Sequence, residues 1–292
     1  MEVKVGAGER EYFNGAIKTI SSESSVLVSS SKYLNHGELR GLIAQEMLRR
    51  NGADLPNTAY IPEVAQILMM LEDFPRIMQL FEEEKARLPQ FKEWCDRKSL
   101  ADFKKEDVAD SKPGTLGAVL YDFMVNSGYE LDIFYREIQV VNDLTYYLRQ
   151  TAVTHDIEHM ISGFGPNHGG EVALINANMH AKARYFNPEM ASFLNRVQTY
   201  LKAKTIMKDG LHYPESYALN LEAEFIGAEQ GRNWKYPLML APWRDWIEWQ
   251  VSDIREELGI TPLPPVGLWD GTNRLCNEDH PNYGEPMLEA AE

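Results

Sequence analysis

The chain has 292 residues and a formal net charge of −15. That balance excludes a basic nucleic-acid footprint and loose adsorption to anionic lipid, though not apolar docking on a membrane. No apolar run approaches the roughly 20 residues needed to cross a bilayer, and two cysteines, Cys95 and Cys276, make neither a disulfide framework nor a cysteine metal site. The opening stretch, "MEVKVGAGEREYFNGAIK", lacks the apolar centre of a secretory signal, so a reducing cytoplasm is the expected setting.

Strand signals are few, and most segments read as helices with clear punctuation. "SSESSVLVSSS" (21–31) is a serine-rich spacer after a loosely attached arm. Asn35 is a candidate cap for "HGELRGLIAQEMLRR". Pro62 suits the first turn of "PEVAQILMMLEDF", and Pro75 divides that helix from "RIMQLFEEEKARL". "SKPGTLG" is a turn leading into "AVLYDFMVNSG". Asn142 is placed to cap a long helix, "DLTYYLRQTAVTHDIEHMIS", which stops at Gly163. "EVALINANMHAKARYF" is expected as the next helix, closed by Asn187-Pro188. Three more helices are expected over "EMASFLNRVQTYLKAKTIM", "ESYALNLEAEFIGAEQG" and "WRDWIEWQVSDIREELG". The whole is mainly α with a single core: an arm and accessory helix over 1–55, a helical metal-binding domain over 56–265, and an irregular tail over 266–292.

Three of the seven histidines fall within "THDIEHMISGFGPNHGGE" (154–171). Residues four apart share a helix face, with Cβ atoms about 5–6 Å apart. His155 and His159 can therefore hold one ion, and Leu144, Leu148 and Ala152 are expected to continue their face inward. Buried imidazoles need partners, because unpaired polar burial costs roughly 1–3 kcal/mol. Asp156 either ligates directly or orients a histidine. The glycines after His159 make a turn, and Glu171 then opens the next helix, where the helix dipole favours an ionised carboxylate. Two neutral imidazoles with one or two carboxylates suit Zn²⁺ best, with Fe²⁺, Mn²⁺ or Co²⁺ as alternatives. The bland reading is that such a histidine pair decorates a surface or core. His168 is expected in a solvated loop, its alternative being a proton carrier beside the metal. Trp243, Trp246 and Trp249, three residues apart, are expected in the core or a subunit contact, with lipid or a prenyl tail as the alternative.

"HDIEH" with Glu171 after eleven intervening residues resembles the His-Asp-x-x-His-(x)11-Glu signature of the fourth coenzyme Q (ubiquinone) biosynthesis protein family. "PGTLGAVLYDFM" (113–124), "YYLRQ" before His155, and "REELGITPLPP" (255–265) are similar to further segments of that family, in its order. The resemblance spans roughly residues 61 to 265. It implies an α-helical fold and a metal, usually zinc, on His155, Asp156, His159 and Glu171. It also implies oxidative removal of the carboxylate from a prenylated aromatic quinone precursor, hydroxylation of the vacated carbon, and scaffolding of other quinone-biosynthesis enzymes at a membrane. Many members carry an arginine three residues before the first motif histidine; here Ala152 stands there, which opens the way to a different apolar aromatic substrate.

Arg149 is a candidate anchor for an anionic substrate group, its alternative being a surface ion pair, and Tyr121 is a candidate wall residue. A mostly apolar cavity is expected beside the metal, walled by the helix of Tyr121 and Phe123 and by the helix over 215–231. Three functions compete: a metal-dependent decarboxylase of quinone metabolism, a non-catalytic lipid- or quinone-binding scaffold with a structural metal, and a metal-dependent hydrolase. The expected partners are an apolar or prenylated aromatic molecule, other quinone enzymes, a second copy of the chain, and the inner face of a membrane. Zn²⁺ has no redox chemistry of its own. An oxygen-consuming reaction would therefore need an iron-like metal or an electron from the substrate phenolate.

Overall fold

The computed structural model describes residues 29–48, 50–51, 59–127, 131, 135 and 137–275. The N-terminal arm, most of the serine-rich spacer, Cys276 and the end of the tail lie outside those residues. Among the described residues there are eleven α-helices and no strand beyond an isolated bridge between Thr115 and Gln250. In chain order they are α1 (Gly37–Met47), α2 (Ile61–Met70), α3 (Phe74–Arg87), α4 (Pro89–Arg97) and α5 (Leu116–Ser127). Then follow α6 (Asp143–Ser162), α7 (His168–Tyr185), α8 (Pro188–Leu194), α9 (Arg196–His212), α10 (Tyr217–Asn233) and α11 (Val251–Leu258). The fold is mainly α, and none of its described helices is long and apolar enough to cross a membrane.

The punctuation explains most of the boundaries. Asp73 caps α3 with proline in its first turn, and Asn187 caps α8 just before Pro188. Asn142 caps α6, accepting from Thr145 N while Thr145 Oγ1 accepts from Asn142 N. Gly163 ends α6 in the left-handed region at φ 75°, where a side chain would be strained. At α1 the cap is His36, whose Nδ1 accepts from Leu39 N at 3.4 Å. Asn35 instead accepts from Ser29 N.

Two expected helices are broken. The segment after Pro188 divides at Asn195 into α8 and α9. The tryptophan segment is irregular up to Gln250, and only Val251–Leu258 is helical. The reason is tertiary: the first N–H groups of α5, on Leu116 and Gly117, donate to Trp249 O and Ile247 O. Those carbonyls cap another helix and so do not continue their own. Trp243 and Trp246 are buried in the core, while Trp249 is exposed.

The core holds α6, α7 and α10 together. Val153, Ile157 and Ile161 of α6 pack with Val172, Ala173 and Ala177 of α7 and Ala223 of α10. A second cluster, built from α3, α4, α6 and α8, meets the first through Tyr236, which packs against both. Helices α7 and α10 approach backbone to backbone. A Cβ on Gly227 would lie 2.1 Å from Ala173 O, and one on Gly231 would lie 2.0 Å from Ala177 O. Only glycine permits that approach. Within the expected tail there is some local order. Asp270–Leu275 is a 3₁₀-helix, and Trp269 is buried against Phe164 with ring centroids 6.0 Å apart.

Candidate metal centre

The site is built where α6 ends and α7 begins. The last carbonyls of α6 need donors, and the Arg255 guanidinium supplies them: Nε donates to Ile161 O and Nη2 to Met160 O, each at 2.9 Å. Beyond Gly163 the chain turns back through Phe164, whose carbonyl accepts from His159 Nδ1 at 3.0 Å. The first turn of α7 is fixed equally closely. Asn167 Oδ1 accepts from Gly170 N, and Thr272 Oγ1 accepts from Gly169 N, both at 2.8 Å. A Cβ on Gly170 would lie 1.8 Å from Gly165 O, and one on Gly169 would lie 2.5 Å from Trp269 Cβ. The glycine pair is thus what lets α7 start tight against the turn and the tail. Helix α7 begins at His168, so Glu171 lies within its first turn rather than at its opening residue.

This framework brings three side chains to one point. One ligand atom from each of His155, His159 and Glu171 lies within 4.8 Å of the others, and no other such group occurs among the described residues. Glu171 faces both rings: its Oε2 is 3.3 Å from His155 Nε2, and its Oε1 is 3.2 Å from His159 Nε2. Asp156 is not in that group. Its Oδ1 lies 3.2 Å from His155 Nδ1, behind the ring, in the place of an orienting carboxylate.

The arrangement passes a test of fit for a divalent ion. His159 Nε2 is buried without a hydrogen-bond partner, although a carboxylate oxygen is near it. With Nδ1 donating to Phe164 O, Nε2 is the ring nitrogen left to face Glu171 and is the atom through which this imidazole would ligate. Partial burial disfavours the charged His155 ring, but Glu171 and Asp156 outweigh it and hold the ring well above the usual imidazole range. Burial would raise the Glu171 carboxyl, but His159 and His155 hold it well below the carboxylate range. The cluster therefore keeps Glu171 ionised.

Three expectations about the surroundings are corrected. The expected inward face is only partly inward: Leu144 and His159 are buried and Leu148 packs against the second cluster, but the His155 side chain is 45% exposed, and the stripe in the first cluster is Val153, Ile157 and Ile161. Since α6 is buried around most of its circumference, sequence periodicity could not pick that stripe. His168 is not in a solvated loop but buried, 3.8 Å from Asp209 Oδ1. The cavity at His155 measures about 60 Å³ and is walled by α6, α7, Gln198 and Met239, not by Tyr121 or by α10. Tyr121 packs against the core, and Arg149 is buried with Nη1 3.5 Å from Ile138 O. Sequence reasoning missed Glu158, Asn178 and Lys182, which line this cavity. The one available signal was charge at core-facing positions of two helices.

The fold and the cluster define an all-helical protein with a His-His-Glu group at a helix–turn–helix joint, half open to solvent. A crystal structure of a provisionally named ubiquinone biosynthesis protein from Nostoc punctiforme PCC 73102 shares the fold. The TM-score is 0.58 at 23% identity, over 77% of this chain and 95% of that one. At that identity the likeness establishes the fold. No protein-family model matches the chain, nor does any curated protein.

Proposed function

We propose that the protein is a metal-dependent enzyme of quinone biosynthesis that removes the carboxylate from a prenylated or related apolar aromatic acid. One observation carries the reading: three side chains able to ligate a metal converge, and one of them, His155, faces solvent beside a cavity. A structural zinc usually takes four protein ligands, whereas a catalytic one keeps a position open. Here three converge, which favours an enzyme over a scaffold. Engagement of Asp156 with His155 Nδ1 disfavours the hydrolase, in which that carboxylate would act as base.

In decarboxylation the bond from ring carbon to carboxylate carbon breaks, CO₂ leaves, and the electron pair left on the ring takes up a proton. A bound divalent ion would supply Lewis-acid stabilisation to a carboxylate or phenolate oxygen. The chain itself orients the ligands. Phe164 O fixes the His159 ring, Asp156 fixes the His155 ring, and the tail on Gly169 fixes the turn that carries Glu171.

The test is CO₂ release from a prenylated 4-hydroxybenzoate by protein loaded in turn with zinc, iron, manganese and cobalt, under air and under nitrogen. A hydroxyl on the vacated carbon marks the oxidative form of the reaction. Stripping the metal should lower the rate by roughly 10²–10³. Tight binding of the acid without turnover by any metal form would overturn the enzyme reading in favour of the scaffold.

A further inference from the structure

The cavity at His155 has an unusual floor. Lys182 of α7 is only 4% exposed, and its Nζ donates to Gln198 Oε1 at 3.0 Å. An ammonium has three N–H groups, and the other two have no hydrogen-bond acceptor among the described residues. Glu158 of α6 is also buried, but its oxygens are occupied: Oε2 accepts from Asn178 Nδ2 at 2.7 Å and Oε1 from Thr154 Oγ1 at 3.2 Å. Asn178 is 4% exposed, and its Oδ1 is buried without a partner. Leu174 and Met239 complete an apolar wall. The cleft therefore joins a buried cation with unused donors, an orphaned amide oxygen, an apolar side, and a mouth at a candidate metal ligand.

Buried polar atoms normally find partners, and those left open here describe a complement. The ammonium calls for an anionic acceptor, the amide oxygen for a donor, and the apolar wall for a flat or aliphatic body. We propose that this cleft is a carboxylate-binding subsite for a hydroxylated aromatic acid: Lys182 Nζ, steered by Gln198, takes the acid group, and Asn178 Oδ1 accepts from a ligand O–H. Burial pushes Lys182 down to about 8, with Glu158 opposing the shift, so the side chain is still largely charged at neutral pH. This assignment gives the acid-recognising role to Lys182, where the sequence pointed to Arg149. It rests on the metal-dependent reading for its place beside His155, but recognition of the acid belongs to the cleft itself.

The test compares 4-hydroxybenzoate with 4-hydroxybenzamide, which has nearly the same shape and no charge, by isothermal titration. The wild-type protein should prefer the acid at least about tenfold, since hydrogen bonds to charged groups are the stronger class. Lys182→Gln keeps length and polarity and should abolish that preference without changing metal content. Gln198→Glu guards against a folding defect in the first variant. Residue 198 lies in the first turn of α9, where a carboxylate is favoured. The new carboxylate would occupy the Lys182 ammonium and exclude the ligand's acid group, so this variant should also lose the preference.

A folded variant of either kind that keeps the preference overturns the assignment, as does a wild-type protein with no preference or no binding at millimolar concentration. Titrations of metal-free and zinc-loaded protein separate the two readings. If no metal binds, the proposed function falls while the lysine is still judged by the metal-free titration. If zinc binds but neither variant changes the acid-to-amide ratio, the subsite falls alone.

Discussion

Two groups of titratable side chains meet at the first turn of α7, and they differ in what surrounds them. In the first, Glu171 faces His155 and His159 at the edge of a cleft, with His155 open to solvent. In the second, His168 faces Asp209, and Glu46 lies 3.5 Å from Lys204 Nζ and 3.6 Å from Lys208 Nζ, all nearly or fully buried. Burial pushes His168 down to about 4 and Asp209 up to about 7. Shifted acids and histidines thus occur in both groups. The first also has an opening and a buried imidazole nitrogen turned toward a carboxylate. The second has cations on its carboxylate and is nearly or fully buried throughout, which is how a fold neutralises charge that it has buried. Access and orientation, rather than the titration shift, separate a candidate site from structure.

The sharpest way to break that comparison is to remove one residue from each group and read both metal and stability. His159→Ala should abolish stoichiometric zinc, measured by elemental analysis after dialysis, because it removes the most firmly oriented candidate ligand. Full zinc retention would remove the distinction between the groups. Glu46→Ala should leave zinc content unchanged but cost about 3–5 kcal/mol in urea unfolding, since two buried ammonium groups lose their carboxylate. A loss of zinc with no loss of stability would reverse the two roles.

The smallest expected effect concerns pH. Asp209 is raised in the folded protein, so its contribution is full below the ordinary carboxylate value and is lost as pH rises from about 4 to about 7. His168 is lowered, so its contribution runs the other way, gained from about pH 4 to the ordinary imidazole value. Asp209→Asn should therefore gain stability relative to wild type as pH rises across that window, by about 1–3 kcal/mol at pH 7. Urea midpoints from pH 4 to pH 8 measure it. A difference that stays constant with pH would mean that Asp209 is not shifted.

The long helix of the site was legible because its ends are written locally. Asn142 and Thr145 close on each other, Gly163 takes a backbone angle that other residues resist, and a spacing of four puts His155 and His159 on one face whatever else the chain does. Glu171 was legible as a helix-terminal carboxylate, though α7 starts three residues earlier than expected. The tryptophan segment misled because the residue types suit a helix. Only the fold reveals that its carbonyls are spent on α5. His168 misled because glycines and a proline around it read as a loop, whereas Trp269 and Thr272, about a hundred residues later, lock it into a buried helix start.

Sequence alone determined the helical class, the two ends of α6, and the pairing of the two histidines, because each depends on backbone preferences that act over a few residues. Tertiary structure decided which face of α6 is buried, that Asp156 sits behind His155, and that Glu158, Asn178 and Lys182 meet in one cleft. Those outcomes depend on how helices distant in the chain pack. That packing turns on close approaches such as Gly227 against Ala173, which no local pattern encodes.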